Sequence, residues 1–175
     1  MKLVCLDTNL LIWGIQQQSK KGQEEMIPRT KIFIDSLAED KETFVLVPTV
    51  VIAEYLMPIP QREHAAVINL FNKRFIVAPF DALAASKFAL IWNTNKSIEE
   101  AEKSIANGAT RAELKADSMI VAIAVARNVG CIYSHDNGVK TFAKGFVEVK
   151  DIPIIERQTA FPDEPDKGWG KPSNN

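Results

Sequence analysis

The sequence predicts an α/β fold, with helices covering both faces of a mostly parallel sheet of roughly five strands to give three layers. Three observations point there. Five short segments, KLVCL, TFVLV, FIVAPF, CIYS and FVEV, are apolar and partly β-branched, as strands of a buried sheet are. Helical patterns separate them, and parallel neighbours require such crossovers. At 175 residues, 46% hydrophobic and 25% charged, the chain is long enough for one well-buried core and unlike a disordered polypeptide.

The first strand, residues 2–6, ends at Asp7-Thr8-Asn9, where Thr8 or Asn9 suits a helix cap. The polar stretch QQQSKKGQEE follows as a loop, and Pro28 then takes the first position of a helix carrying Ile32, Phe33, Leu37 and Ala38. TFVLV, residues 43–47, is the second strand. Pro48-Thr49 opens the short apolar helix VVIAEYL, which Pro58 and Pro60 end. A helix over 61–72 leads to the strand FIVAPF, and Asp81 caps the helix ALAASKFALIW.

Residues 93–110, NTNKSIEEAEKSIANGAT, are polar, contain Asn-Gly and read as a flexible or variable insertion at one edge. RAELKADSMIVAIAVARNVG is a long helix stopped by Gly130. CIYS is a strand ending at His135-Asp136, and a short helix over 139–143 and the strand FVEV complete a domain spanning 1–149. Residues 150–175 hold four of the nine prolines and read as a mostly irregular tail bearing Trp169.

A net charge of -1 argues against a strongly basic nucleic-acid coat, but withdrawing four acids onto metal ions would leave the rest at +3, so a polyanionic substrate stays open. Cys5 and Cys131 sit in apolar runs without metal or redox spacing and read as buried small hydrophobes in a reducing compartment. The short N-terminal apolar stretch, broken by Asp7, has neither a cleavage pattern nor the length of a membrane span. The expected location is the cytoplasm.

Four acids stand where acids are unusual. Asp7 and Asp136 fall at the carboxyl ends of predicted strands, the end at which open α/β sheets bind ligands. Capping or turn formation is the alternative role for each. Glu54 lies on the apolar helix VVIAEYL, where an ionised carboxylate facing the core costs several kcal/mol without a partner. Asp117 precedes the apolar run MIVAIAVA, and its alternative role is to complement the helix dipole, with Arg111 or Lys115 nearby.

Clustered carboxylates raise one another's pKa unless cations neutralise them. Oxygen-only ligands suit Mg²⁺ or Mn²⁺ rather than Zn²⁺, and neither His64 nor His135 has ligand spacing. Such a metal site hydrolyses phosphodiesters without a protein nucleophile. No Ser/His/Asp set, phosphate-binding Gly-rich loop or GxGxxG supports a competing chemistry.

The motifs LDTNLL, VPTVVIAEYL, KADSMIVAIAVARNVG and YSHDNGVKTF, in this order over residues 1–149, resemble the PIN-domain family of metal-dependent ribonucleases, which includes VapC-type toxins of toxin–antitoxin pairs. The resemblance implies Asp7, Glu54, Asp117 and Asp136 as the catalytic, metal-binding acids, with Thr8, Asn9 and Ser134 in support and the first and fourth strands side by side. It further implies an RNA substrate, an antitoxin partner and a homodimer. Arg111 and Lys115, before Asp117, read first as a solvated helix start, with contact to RNA phosphates as the alternative. The length of the chain, its 93–110 segment and its tail depart from compact toxins. Two other readings compete: a PIN-like binding or scaffold module without catalysis, and a haloacid-dehalogenase-like phosphatase. The latter needs an Asp where this chain has Asn9 and a Thr or Val where it has Leu11.

Overall fold

A computed structural model describes residues 2–155, the side chains of 95–97 excepted. Among them, β1 (Lys2–Leu6), β2 (Thr43–Pro48), β3 (Ile76–Ala78), β4 (Cys131–Tyr133) and β5 (Glu148–Lys150) form one sheet. Its order is β3-β2-β1-β4-β5, with every pairing parallel. All carboxyl ends therefore meet at one end of the sheet. The chain steps one way from β1 to β3 and then returns to place β4 on the other side of β1, so the order reverses between β1 and β4.

The helices are α1 (Thr8–Leu11), continued by a π-helical turn (Ile12–Gln16), α2 (Met26–Glu39), α3 (Thr49–Leu56), α4 (Gln61–Arg74), α5 (Ala82–Trp92), α6 (Asn95–Ala106), α7 (Arg111–Ala126) and α8 (Asn137–Ala143). Period-two alternation along the strands divides the core. Cys5, Leu46, Ala78 and Ile132 pack with α5, α7 and α8, while Leu6, Val47 and Tyr133 pack with α1, α2 and α4. The layers are thus α/β/α, as the sequence predicts.

Local chemistry accounts for most boundaries. Asp81 caps α5 by accepting from the Ala84 N–H at 3.0 Å, and Thr110 with Glu113 forms a complete capping box at the start of α7. Pro28 stands at the third rather than the first position of α2; all three first-turn N–H groups lack helical partners, so each position tolerates proline. The helix expected over 61–72 runs on to Arg74, and that expected over 139–143 begins at Asn137.

One expectation gains definition and one needs correction. The segment 93–110, expected as a flexible or variable insertion at one edge, is mostly the helix α6. Ile98, Ala101 and Ile105 recur at helical spacing, and this narrow stripe lies beside Trp92 of α5. Gly130 does not stop α7. Asn128, at φ 52°, makes the left-handed turn, and the Gly130 N–H instead donates to Leu3 O at 2.8 Å.

After β5 the chain crosses to α2, where Arg29 hydrogen-bonds Ile152 O and Ile152 is buried beside Leu6, Trp13 and Met26. Residues 156–175, with the rest of the expected tail and Trp169, lie outside the described residues. No described helix is long and apolar enough to cross a membrane.

Phe142 is fully buried and stacks on Trp92 at a centroid distance of 5.6 Å, tying α8 to α5. Phe142→Ala should lower unfolding stability by about 3–5 kcal/mol in urea titration.

Candidate active site

The β1–β4 pairing carries Leu6 opposite Tyr133, and the Asp7 N–H extends it by donating to Tyr133 O at 3.2 Å. One residue beyond each strand, Asp7 and Ser134 meet, and the Ser134 hydroxyl donates to Asp7 Oδ2 at 2.6 Å. The other oxygen, Oδ1, accepts from the Thr8 N–H at 2.7 Å and caps α1. Capping therefore falls to Asp7 itself, not to Thr8 or Asn9. The aspartate combines both roles: its side chain is only 3% exposed, and both its oxygens are held by short bonds.

Thr8 is thereby free for other work. Its hydroxyl donates to Glu54 Oε2, the partner that Glu54 needs on the apolar helix α3. Val51, Ile52 and Tyr55 anchor α3 in the core and leave Glu54 half-buried at the cleft. Asp136 caps α8, its Oδ1 accepting from the Gly138 N–H at 2.6 Å and the Val139 N–H at 3.3 Å. Ser134 fixes the approach to that cap as well, since its Oγ accepts from the Asp136 N–H at 3.0 Å.

Asp117 reaches the same place from α7. A Cβ on Gly138 would stand 2.0 Å from Asp117 Oδ2, so glycine alone lets this carboxylate lie against the start of α8. The sequence showed Asn137-Gly138 only as a turn signal; the contact that demands glycine comes from a residue on another helix. Among the described residues no hydrogen-bond donor faces the Asp117 carboxylate.

Asp7, Glu54, Asp117 and Asp136 thus line one open cleft of about 580 Å³, together with Thr8, Asn9, Lys20, Ser104, Asn107, Glu113 and Thr141. Arg111 instead lines a separate cleft beside α6, and Lys115 points to solvent. Neither residue is therefore among the described lining of the cleft, in keeping with a solvated helix start. A helix turns about 100° per residue, so positions two and six before Asp117 face elsewhere. His135 also turns away, half-exposed with Nδ1 3.5 Å from Asp151 and its ring against Trp13. The cleft's fifth acid, Glu113, belongs to the capping box.

Packing four acids together has a measurable consequence. Burial pushes the Asp7 carboxyl up to about 6 despite the bonds from Ser134 and Thr8. Burial, followed by the charges of Asp136, Asp7 and Glu54, pushes Asp117 up to about 8. Burial likewise raises Glu54, against the opposing bond from Thr8. These are the electrostatics of a site short of positive charge.

An oxygen-only donor set with an unpartnered carboxylate fits a hard divalent cation. Among the described residues no three such side chains are yet drawn close enough to ligate one ion.

No family model and no curated protein matches the sequence. Solved structures do match. VapBC2 from Rickettsia felis, bound to a DNA fragment from its promoter, is 13% identical over 85% of this chain and 98% of its own, with a TM-score of 0.55. DNA-bound VapBC from Salmonella typhimurium is 17% identical over 87% and 100%, with a TM-score of 0.52. VapC20 from Mycobacterium tuberculosis, a sarcin-ricin loop cleaving toxin, is 16% identical over 84% and 98%, with a TM-score of 0.50. At these identities the likeness establishes the fold, that of a VapC-like PIN domain.

The raised carboxyls fix the sign of the pH dependence. Between the ordinary aspartate value of 3.8 and the folded values of about 6 and about 8, the native state keeps protons that the unfolded chain has lost. In chelator, stability should therefore fall as pH rises from about 4 to about 8. Asp117→Asn should flatten this slope and raise stability at pH 8 by at least about 1 kcal/mol, or about 2–4 °C in melting temperature. Thermal melts of both proteins at pH 5 and pH 8 check this.

Proposed function

We propose that this protein is a metal-dependent endoribonuclease that hydrolyses RNA phosphodiester bonds, acting as the toxin of a toxin–antitoxin pair in the cytoplasm. The observation that carries the reading is the convergence of Asp7, Glu54, Asp117 and Asp136 on one cleft at the sheet's switch point. The roles of proteins sharing the fold support it, one being a toxin that cleaves the sarcin-ricin loop and others VapBC complexes.

The four acids would hold Mg²⁺ or Mn²⁺, which when bound activates water for attack on phosphorus and stabilises the leaving oxygen. The rest falls to the chain's own side chains. Ser134 and the Thr8 N–H each hold one oxygen of Asp7, while the Thr8 hydroxyl holds Glu54 at Oε2. Their other lone pairs remain for a cation. Asp117, which keeps its proton up to about pH 8 without a cation, must release it to become a ligand. Cation affinity should therefore rise with pH. Gly138 keeps the space beside Asp117 clear.

The partners follow the same reading: an antitoxin protein, and a second copy of this chain. Leu83 and Leu90, two turns apart on α5, are 50% and 56% exposed and offer an apolar surface for self-association. If the dimer forms there, Leu90→Arg should shift the protein from dimer to monomer in sedimentation.

Purified protein should cleave RNA with Mg²⁺ or Mn²⁺ and not with chelator, and Asp7→Asn should lower the rate by at least about 100-fold. Gly138→Ala, which displaces Asp117, should lower it by at least about 10-fold while the fold persists by circular dichroism. Equal cleavage by wild type and Asp7→Asn would reject the assignment. In cells, growth arrest on expression, relieved by the neighbouring reading frame, separates a toxin from a housekeeping nuclease.

A further inference from the structure

A cleft carrying five carboxylates repels the substrate it is proposed to cut. The acids attract cations, but an RNA strand continues on both sides of the scissile phosphate, and its other phosphates meet the same negative field. Cleft-lining cations are the physical remedy, and among the described residues that line the cleft Lys20 is the only lysine or arginine.

Lys20 lies on the loop between the π-helical turn and α2. Gln17, at φ 55°, turns the chain out of the π-helical turn, and the loop brings Lys20 to the cleft near Glu113, whose carboxyl it helps to hold down. The lysine is exposed and, among the described residues, makes no ion pair within 4.0 Å. The remaining wall is built by α6. Ser104 and Asn107 line the cleft from the end of that helix, where Gly108, at φ 96°, reverses the chain and the Ala109 N–H closes the turn on Ser104 O at 3.0 Å. The Ser104 hydroxyl is occupied by Glu100 O at 2.8 Å. The Asn107 amide is exposed, makes no hydrogen bond among the described residues and projects from a backbone pinned by two.

Among the described residues no aromatic side chain lines the cleft, so they offer charge and hydrogen bonds to a strand rather than base stacking. A cleft of about 580 Å³ admits a splayed nucleotide rather than a duplex.

We propose that Lys20 and Asn107 position single-stranded RNA across the acidic cleft, Lys20 gripping a backbone phosphate beside the scissile one and Asn107 hydrogen-bonding the neighbouring nucleotide. The proposal rests on the nuclease reading for the identity of the ligand. It gives α6 a role: the helix forms the substrate-facing wall of the site.

Binding tests this apart from chemistry. In an Asp117→Asn background, which leaves RNA uncut, a fluorescent oligo(U) of about 12 nucleotides is titrated with Mg²⁺ by anisotropy at several salt concentrations. Adding Lys20→Gln should raise Kd by about 3–10-fold and flatten the slope of log Kd against log salt by about 0.7, whereas Lys20→Arg should keep that slope. Adding Asn107→Ala should weaken binding by a similar factor and leave the slope unchanged. A parental Kd and slope for Lys20→Gln, or a parental Kd for Asn107→Ala, would overturn the proposal, as would equal competition by an RNA duplex of the same length. Wild-type cleavage is read separately. Lys20-dependent binding without cleavage would reject the nuclease reading and keep the positioning one.

Discussion

Everything in this molecule that bears on chemistry depends on the parallel pairing of β1 with β4. That pairing joins the first strand to one formed more than a hundred residues later, and its register places Leu6 against Tyr133. Asp7 and Ser134 are the next residues out, and the hydrogen bond between them closes the end of the sheet. A slip of one residue would turn Asp7 into one core layer or the other, because side-chain direction alternates with every position. The buried faces forbid that slip, so the same hydrophobic packing that stabilises the sheet also aims the carboxylate.

From that anchor, support spreads through short polar links. Thr8 passes from Asp7 to Glu54, and Ser134 from Asp7 to the backbone of Asp136. Asp7, Glu54 and Asp136 are each held by hydroxyl or backbone N–H donors, Asp117 has no such bond among the described residues, and none of the four is fixed by a basic side chain there. This arrangement holds the carboxylates without neutralising them. Stability is lost in return, visible in the raised Asp7, Glu54 and Asp117 carboxyls, and a cation that binds only the folded state would restore it. Sites that must bind charge commonly keep such strain.

The same logic separates legible from illegible residues. Asp7 and Glu54 could be picked out from the sequence because a carboxylate inside an apolar run is costly, and cost shows in a one-dimensional pattern. Lys20, Asn107 and Gly138 could not. A lysine in a polar loop and an asparagine at a helix end are ordinary, and Gly138 matters only because Asp117 approaches it from another helix. Arg111 and Lys115, near Asp117 along the chain, stand on other faces of α7, in keeping with their first reading as a solvated helix start. The helix within 93–110 was not legible because its apolar stripe is narrow, and Ile98, Ala101 and Ile105 gain meaning only beside Trp92.

By itself the sequence determined the alternation of strands and helices, the parallel α/β/α layers and the four acids, because periodicity and burial cost are local properties of the chain. Tertiary structure decided which strands are neighbours, which acids share a cleft, that Asp7 caps its helix while binding Ser134, and that α6 walls the site. Those outcomes depend on distances between residues far apart in sequence, and no local pattern encodes such distances.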